Sequence, residues 1–128
     1  MAALAAQRRG EEHLGQLDDA LHAMAASLQD RARYAEADLR FHILLGQATG
    51  NPLYTLLVAD THQALLSGLA MALRDGAGRA ELDRVQDLHR IILDAVVAGD
   101  PAAARCAMTE HFDDVDRALR RLDQQEGE

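Results

Sequence analysis

Apolar side chains recur along this chain at intervals of three and four residues, the spacing of one helix face, and rarely alternate as a half-buried strand requires. Residues 11 to 29 set Leu14, Leu17, Leu21, Met24 and Leu28 on one stripe, and residues 32 to 49 do the same with Tyr34, Phe41, Leu45 and Ala48. Two later stripes keep the same period. Leu82, Val85, Ile92 and Val96 lie within residues 79 to 98, and Ala104, Met108, Val115 and Leu122 within a last helix expected to end near Leu122.

Turn chemistry separates these pieces. Gly10 closes an alanine-rich stretch, Met1 to Arg9, that reads as the tail of a longer helix, and Gly50 is placed to end the third helix at positive φ. Asn51 and Pro52 suit the N-cap and first position of a helix predicted to reach about Arg74, and Gly99, Asp100 and Pro101 repeat that stop and start. The segment DGAGRAE, with its two glycines, is the flexible connection, and the acidic end DQQEGE is expected to fray. Short links between amphipathic helices predict an all-α antiparallel bundle of about six helices.

Four polar residues interrupt the apolar faces. Asp38 and His42 stand one turn apart on the stripe of Phe41 and Leu45, His89 takes an aliphatic position between Val85 and Ile92, and His111 does so between Met108 and Val115. Burying a carboxylate or an imidazole without a partner is costly, so something must compensate. Taken singly, each histidine reads as a hydrogen-bonded core residue. Taken together, three nitrogens and one carboxylate oxygen make an ordinary shell for a divalent transition metal, with zinc expected and nickel or manganese as alternatives, and the interior of a helix bundle is a common place to assemble one. His62 shares a face with Leu65, Leu66 and Leu69 and reads as either a core histidine or a pocket lining; His13 and His22 read as surface or core-edge residues. The cluster HFDDVDRALRRLD is expected to be a solvated face with i, i+4 ion pairs.

Composition narrows the picture. With 128 residues and 48% hydrophobic content, the chain suffices for one domain with one core, and an aromatic share of 3% leaves that core to Leu, Ala, Val, Ile and Met. A formal charge of -8 supplies no basic stripe, which argues against this chain holding nucleic acid by itself. Cys106 is the single cysteine, so no disulfide framework forms within the chain and a reducing cytoplasm is the expected setting. The opening MAALAAQRRGEEHL lacks the features of a signal peptide, and no window approaches the ~18 apolar residues of a membrane span.

The run of Asp38, Phe41, His42 and GQATGN, then His89 ahead of IILDAVVAGDPAAA, then MTEHF with His111, resembles the effector-binding (FCD) domain of the FadR subfamily of GntR-type bacterial transcription regulators. That resemblance covers nearly the whole chain. It implies a bundle of six or seven helices in which Asp38, His42, His89 and His111 hold a divalent ion. It also implies a small organic acid bound at the metal, homodimerisation, and DNA binding through an N-terminal winged helix-turn-helix domain that lies outside this chain. Candidate effector contacts are His62, Arg74 and Asn51. Two positions depart from the family pattern: Leu88 stands where glutamate is frequent, and the segment THQALLSGLAMALR carries few arginines. No enzymatic activity is expected. The competing readings are a small metal-dependent hydrolase, in which an open coordination position activates water, and a structural metal bundle whose coordination is filled by protein atoms.

Overall fold

The computed structural model describes residues 1–61 and 79–127, and every one of them lies in a helix or in a short turn between helices. The elements are α1 (Ala2–Arg8), α2 (Glu11–Ala26), α3 (Arg31–Ala48), α4 (52–61 as described), α5 (Arg79–Ala98) and α6 (Pro101–Glu126). The predicted remainder of the fourth helix and the glycines of DGAGRAE fall outside the described residues, as do His62 and Arg74.

The apolar stripes form the core. Leu17, Leu21 and Met24 of α2, Tyr34, Phe41 and Leu45 of α3, Ile92 and Val96 of α5, and Ala104 and Met108 of α6 are all buried, while Leu14, Leu28 and Val85 pack at its edge. Helix α2 lies on α3 and α5, and α5 lies on α6. Short α1 touches α3, α5 and α6, and its Ala2, Ala5 and Ala6 are buried. Methyl side chains let its backbone come close to three helices at once. A stretch that looked like a trailing end in the sequence is therefore a central packing element.

Helix ends follow the predicted chemistry in most places. Gly50 and Gly99 adopt φ of +72° and +68° and close α3 and α5. The Asn51 side chain accepts the Leu53 N–H at 3.1 Å to cap α4, and Asp100 accepts the Ala103 N–H at 3.1 Å to cap α6. Two boundaries differ from expectation. Helix α2 stops at Ala26 rather than near Gln29, because Ser27 turns its hydroxyl to the Ala23 carbonyl and Asp30 leaves the helix to cap α3, accepting the Arg33 N–H at 3.2 Å. Helix α6 runs to Glu126 rather than ending near Leu122, and the predicted frayed tail is helical. Three of the four added residues, Gln124, Gln125 and Glu126, are good helix formers, and the first strong breaker, Gly127, follows the helix.

Arg8 and Arg9 supply contacts that no periodicity could announce. Arg8 donates to the Thr49 carbonyl at 3.0 Å, at the end of α3, and Arg9 donates to the Val97 carbonyl at 3.1 Å, at the end of α5. Each guanidinium satisfies a carbonyl that the helix leaves without an internal partner. A Cβ on Gly99 would meet the Arg9 guanidinium at 2.8 Å. Between α5 and α6, Arg84 grips Asp114 with two hydrogen bonds of 2.6 and 3.1 Å, and Arg117 bonds the same carboxylate. The i, i+4 pair Arg120–Asp116 matches the expected solvated face; the link across to α5 was not foreseen.

Replacing Gly99 by alanine should destabilise the domain by about 1–2 kcal/mol through its positive φ alone, with an added steric part from Arg9. In an Arg9→Ala background only the first part should remain, so a double-mutant cycle in urea should show coupling between the two sites. The Arg84 hydrogen bonds hold the Asp114 carboxyl below the usual carboxylate range, against the opposing effect of partial burial. A carboxylate with a lowered folded-state pKa stabilises the fold above its unfolded value and loses that contribution as pH falls through the folded one. Asp114→Asn should thus lower the melting temperature at pH 7, with the gap to the unsubstituted protein narrowing below about pH 4.

Candidate metal centre

Helix α3 projects Asp38 and His42 inward one turn apart, α5 brings His89, and α6 brings His111. All four are buried, at 3%, 2%, 0% and 4% exposure. One candidate donor atom from each lies within 4.8 Å of the other three, so the group can hold a metal ion. The structure thus brings together every residue of the predicted ligand set from three separate helices.

Among Asp38, His42 and His89 the distances are close to those of neighbouring ligands. Asp38 Oδ1 stands 2.7 Å from His89 Nε2 and 3.4 Å from His42 Nε2, and the two Nε2 atoms are 3.2 Å apart. Donors at about 2.0–2.1 Å from one ion are spaced roughly 3.3–3.4 Å in a tetrahedron and roughly 2.8–3.0 Å in an octahedron. The three edges among Asp38, His89 and His42, at 2.7, 3.2 and 3.4 Å, lie close to that range, and the His111 donor stands within 4.8 Å of them. The donor chemistry fits as well, since imidazole nitrogen and carboxylate oxygen suit zinc, nickel and manganese.

Hydrogen bonding fixes how His89 faces the group. Its Nδ1 lies 2.7 Å from the Val85 carbonyl, which can only accept, so Nδ1 carries the proton and donates it. Nε2 then presents a lone pair to the Asp38 carboxylate 2.7 Å away and to His42 beyond it. Lone pairs so close together need a positive charge between them, supplied by a further proton or by a cation. The backbone contact is also what holds a ligating imidazole in one tautomer and one orientation. Phe41, fully buried, sets its ring edge-on to His89 at 5.3 Å and 80° and to His42 at 5.7 Å and 86°. The His42 and His111 rings stack at 5.2 Å, and the His111 ring lies 4.4 Å from that of His89.

Beneath this layer Tyr34, one turn before Asp38, donates to Gln86 Oε1 at 3.3 Å, and Gln86 donates to the Leu21 carbonyl at 3.1 Å. That chain ties α3, α5 and α2 together beside the cluster. Burial and the nearby Asp38 carboxylate both push the Tyr34 phenol well up, so it remains a neutral donor.

A cavity of about 220 Å³ adjoins the cluster through His42 and is lined further by Tyr54 and Val58 of α4 and by Met108 and Phe112 of α6. Gly46 lets α4 approach, since a Cβ there would meet the Thr55 backbone at 3.2 Å. Asn51 sits at the start of α4, with its carboxamide oxygen engaged in capping, and is not among the described residues lining the cavity. His62 and Arg74 lie outside the described residues. Exposed His22 bonds the Asp18 carbonyl on its own helix, and His13 stands at the core edge. Tyr54 and Val58 were missed by sequence reasoning, because nothing in the α4 pattern distinguishes a cavity wall from core. Among the described residues no helix is long and apolar enough to cross a membrane.

Known proteins are similar to this chain in sequence. The FCD domain matches residues 1–114. The HTH-type transcriptional regulator LutR of Bacillus subtilis is 31% identical over 121 residues, which cover 93% of this chain and 55% of the relative. The HTH-type transcriptional repressor NanR of Cronobacter sakazakii is 32% identical over 124 residues, covering 94% of this chain and 46% of the relative, and that of Salmonella schwarzengrund 32% over 115 residues, covering 87% and 42%. The chain spans about half the length of the curated relatives it matches, and those relatives are named as regulators rather than enzymes. With the domain match covering residues 1–114 of its 128, the chain belongs to the FCD domain family.

Proposed function

We propose that this domain is the sensor of a transcription regulator, holding one divalent ion through Asp38, His42, His89 and His111 and responding to a small organic acid that enters beside it. The observation that carries the reading is the convergence of four buried donors from three helices, with His89 locked by Val85 to face its neighbours. A divalent ion bound there supplies a Lewis-acidic charge able to take a carboxylate oxygen. DNA binding belongs to a further N-terminal domain of the kind named in the relatives, in a homodimer.

The residues of this chain divide the work. Asp38 lowers the net charge of the site and His42 faces the cavity, so the incoming acid meets a donor set shared by α3, α5 and α6. A ligand can alter a distant site only by binding two arrangements of the protein differently. Small shifts among these three helices reach α1, which packs on all of them and is fastened by Arg8 and Arg9 to the ends of α3 and α5. Helix α1 is therefore the element through which the site acts on an upstream domain.

Purified protein loaded with zinc, nickel or manganese should carry one ion per chain by mass spectrometry or elemental analysis. Asp38→Ala and His111→Ala should each weaken uptake by at least about tenfold. His111→Leu separates a metal ligand from a core hydrogen-bonding group. Removing one member of a buried polar group leaves its neighbours short of a partner and is costly, so this variant should melt lower than the unsubstituted protein in chelator, and the discriminating readout is that it should gain nothing from zinc. Equal loss of stability with and without metal would reduce the cluster to a core polar network.

Organic acids should raise the melting temperature of the metal-loaded domain and leave the chelated domain unchanged. In a longer chain bearing the DNA-binding domain, the effective acid should change operator affinity by about 1–3 kcal/mol, the common range for coupled sites. His89→Ala should abolish that response while preserving basal DNA binding. Metal-loaded protein that ignores every acid but turns over ester or phosphate substrates would favour a hydrolase instead.

A further inference from the structure

The described wall of the cavity beside His42 is apolar. The cavity is lined by Met1, by Leu57 and Val58 of α4 and by Met108 and Phe112 of α6, and the only hydroxyls among the described lining residues belong to Tyr54 and Thr61. Thr61 donates its hydroxyl proton to the Leu57 carbonyl within its own helix, so it offers a ligand no proton. No charged side chain lines the cavity among the described residues. Its volume of about 220 Å³ lies below the roughly 300–1,000 Å³ of sites for drug-sized ligands.

We infer that the effector is a compact monocarboxylate with an apolar body, rather than a polyhydroxylated sugar acid. This rests on the proposed metal-dependent sensor and specifies its ligand. The carboxylate is held at the His42 end, where the donor cluster begins, and the body lies along Val58, Met108 and Phe112. Hydroxyl groups on that body would leave water for a wall whose described residues offer few replacement hydrogen bonds, which costs affinity. Methylene groups gain by the same transfer.

The probe is a matched series on the zinc-loaded chain: acetate, butanoate and hexanoate, with gluconate as a six-carbon acid hydroxylated along its length. Isothermal titration should show affinity rising by about fourfold for each methylene up to hexanoate, and gluconate binding at least about tenfold more weakly than hexanoate. Leu57 is 60% exposed, so Leu57→Asn should keep the fold; that variant and Val58→Asn should flatten the chain-length dependence with zinc content, measured in parallel, unchanged. Zinc-loaded protein with affinity independent of chain length, with a preference for gluconate, or with no affinity for any of these acids overturns the apolar-effector assignment and leaves the metal centre standing. A chain that takes up no zinc overturns the sensor reading, and this assignment with it.

Discussion

A carboxylate buried among three imidazoles is the constraint on which the rest of the molecule depends. Asp38 sits 2.7 Å from His89 Nε2 at almost zero exposure, a placement that water cannot relieve and that hydrocarbon packing would penalise. Such an arrangement persists only if the surrounding helices are fixed well enough to hold donors from α3, α5 and α6 at ligand spacing. Phe41 braces two of the rings, Val85 fixes the tautomer of His89, and the Tyr34–Gln86–Leu21 chain locks the layer below. Packing here does more than exclude water. It sets the angles at which polar groups confront one another.

The helix ends supply that rigidity. Helices α3 and α5, which carry three of the four donors, each stop at a glycine in the left-handed region, and each has a carbonyl at its end taken by an arginine, Arg8 at the end of α1 or Arg9 just after it. Moving Arg8 or Arg9 therefore disturbs the ends of the very helices whose interiors form the site. This makes α1 a mechanical link despite its seven residues. Its alanines allow the close approach, and Arg8, with Arg9 just beyond it, anchors the contact. Either feature alone would leave a short helix poorly held.

Most of the architecture was legible because it depends on local chemistry. Stripes at helical spacing identified the core faces, and Gly50, Asn51, Gly99 and Asp100 marked the joints that the structure uses. The four candidate ligands stood out as polar residues on apolar faces. Their register along each helix could be read, but their convergence could not, since it depends on how three helices rotate against one another. Arg8 and Arg9 were invisible for a similar reason: an arginine near a helix end looks the same in sequence whether it meets water or the carbonyl of a helix about 40 or 90 residues away. The early stop of α2 turned on competition between Ser27, Asp30 and the helix for the same backbone groups, and helical periodicity contains no measure of that contest.

A site assembled from three helices has a consequence for how it can signal. If all donors came from one helix, a ligand could bind or leave with little effect on the relative positions of the others. Here Asp38 and His42 travel with α3, His89 with α5 and His111 with α6, so any change in what the cluster holds is felt as a relation between helices. The cavity extends that relation to α4, because residues of α4 and α6 both line it. On the proposed sensor reading, an acid filling the cavity would bind tightly only in the helix arrangement that gives its carboxylate and its body suitable contacts together. Differential affinity for helix arrangements is the thermodynamic requirement for allosteric coupling. Dividing the donors among α3, α5 and α6 would thus join the proposed ligand recognition to the geometry of the bundle, and α1, resting on all three, is the part of the chain placed to carry such a change outward.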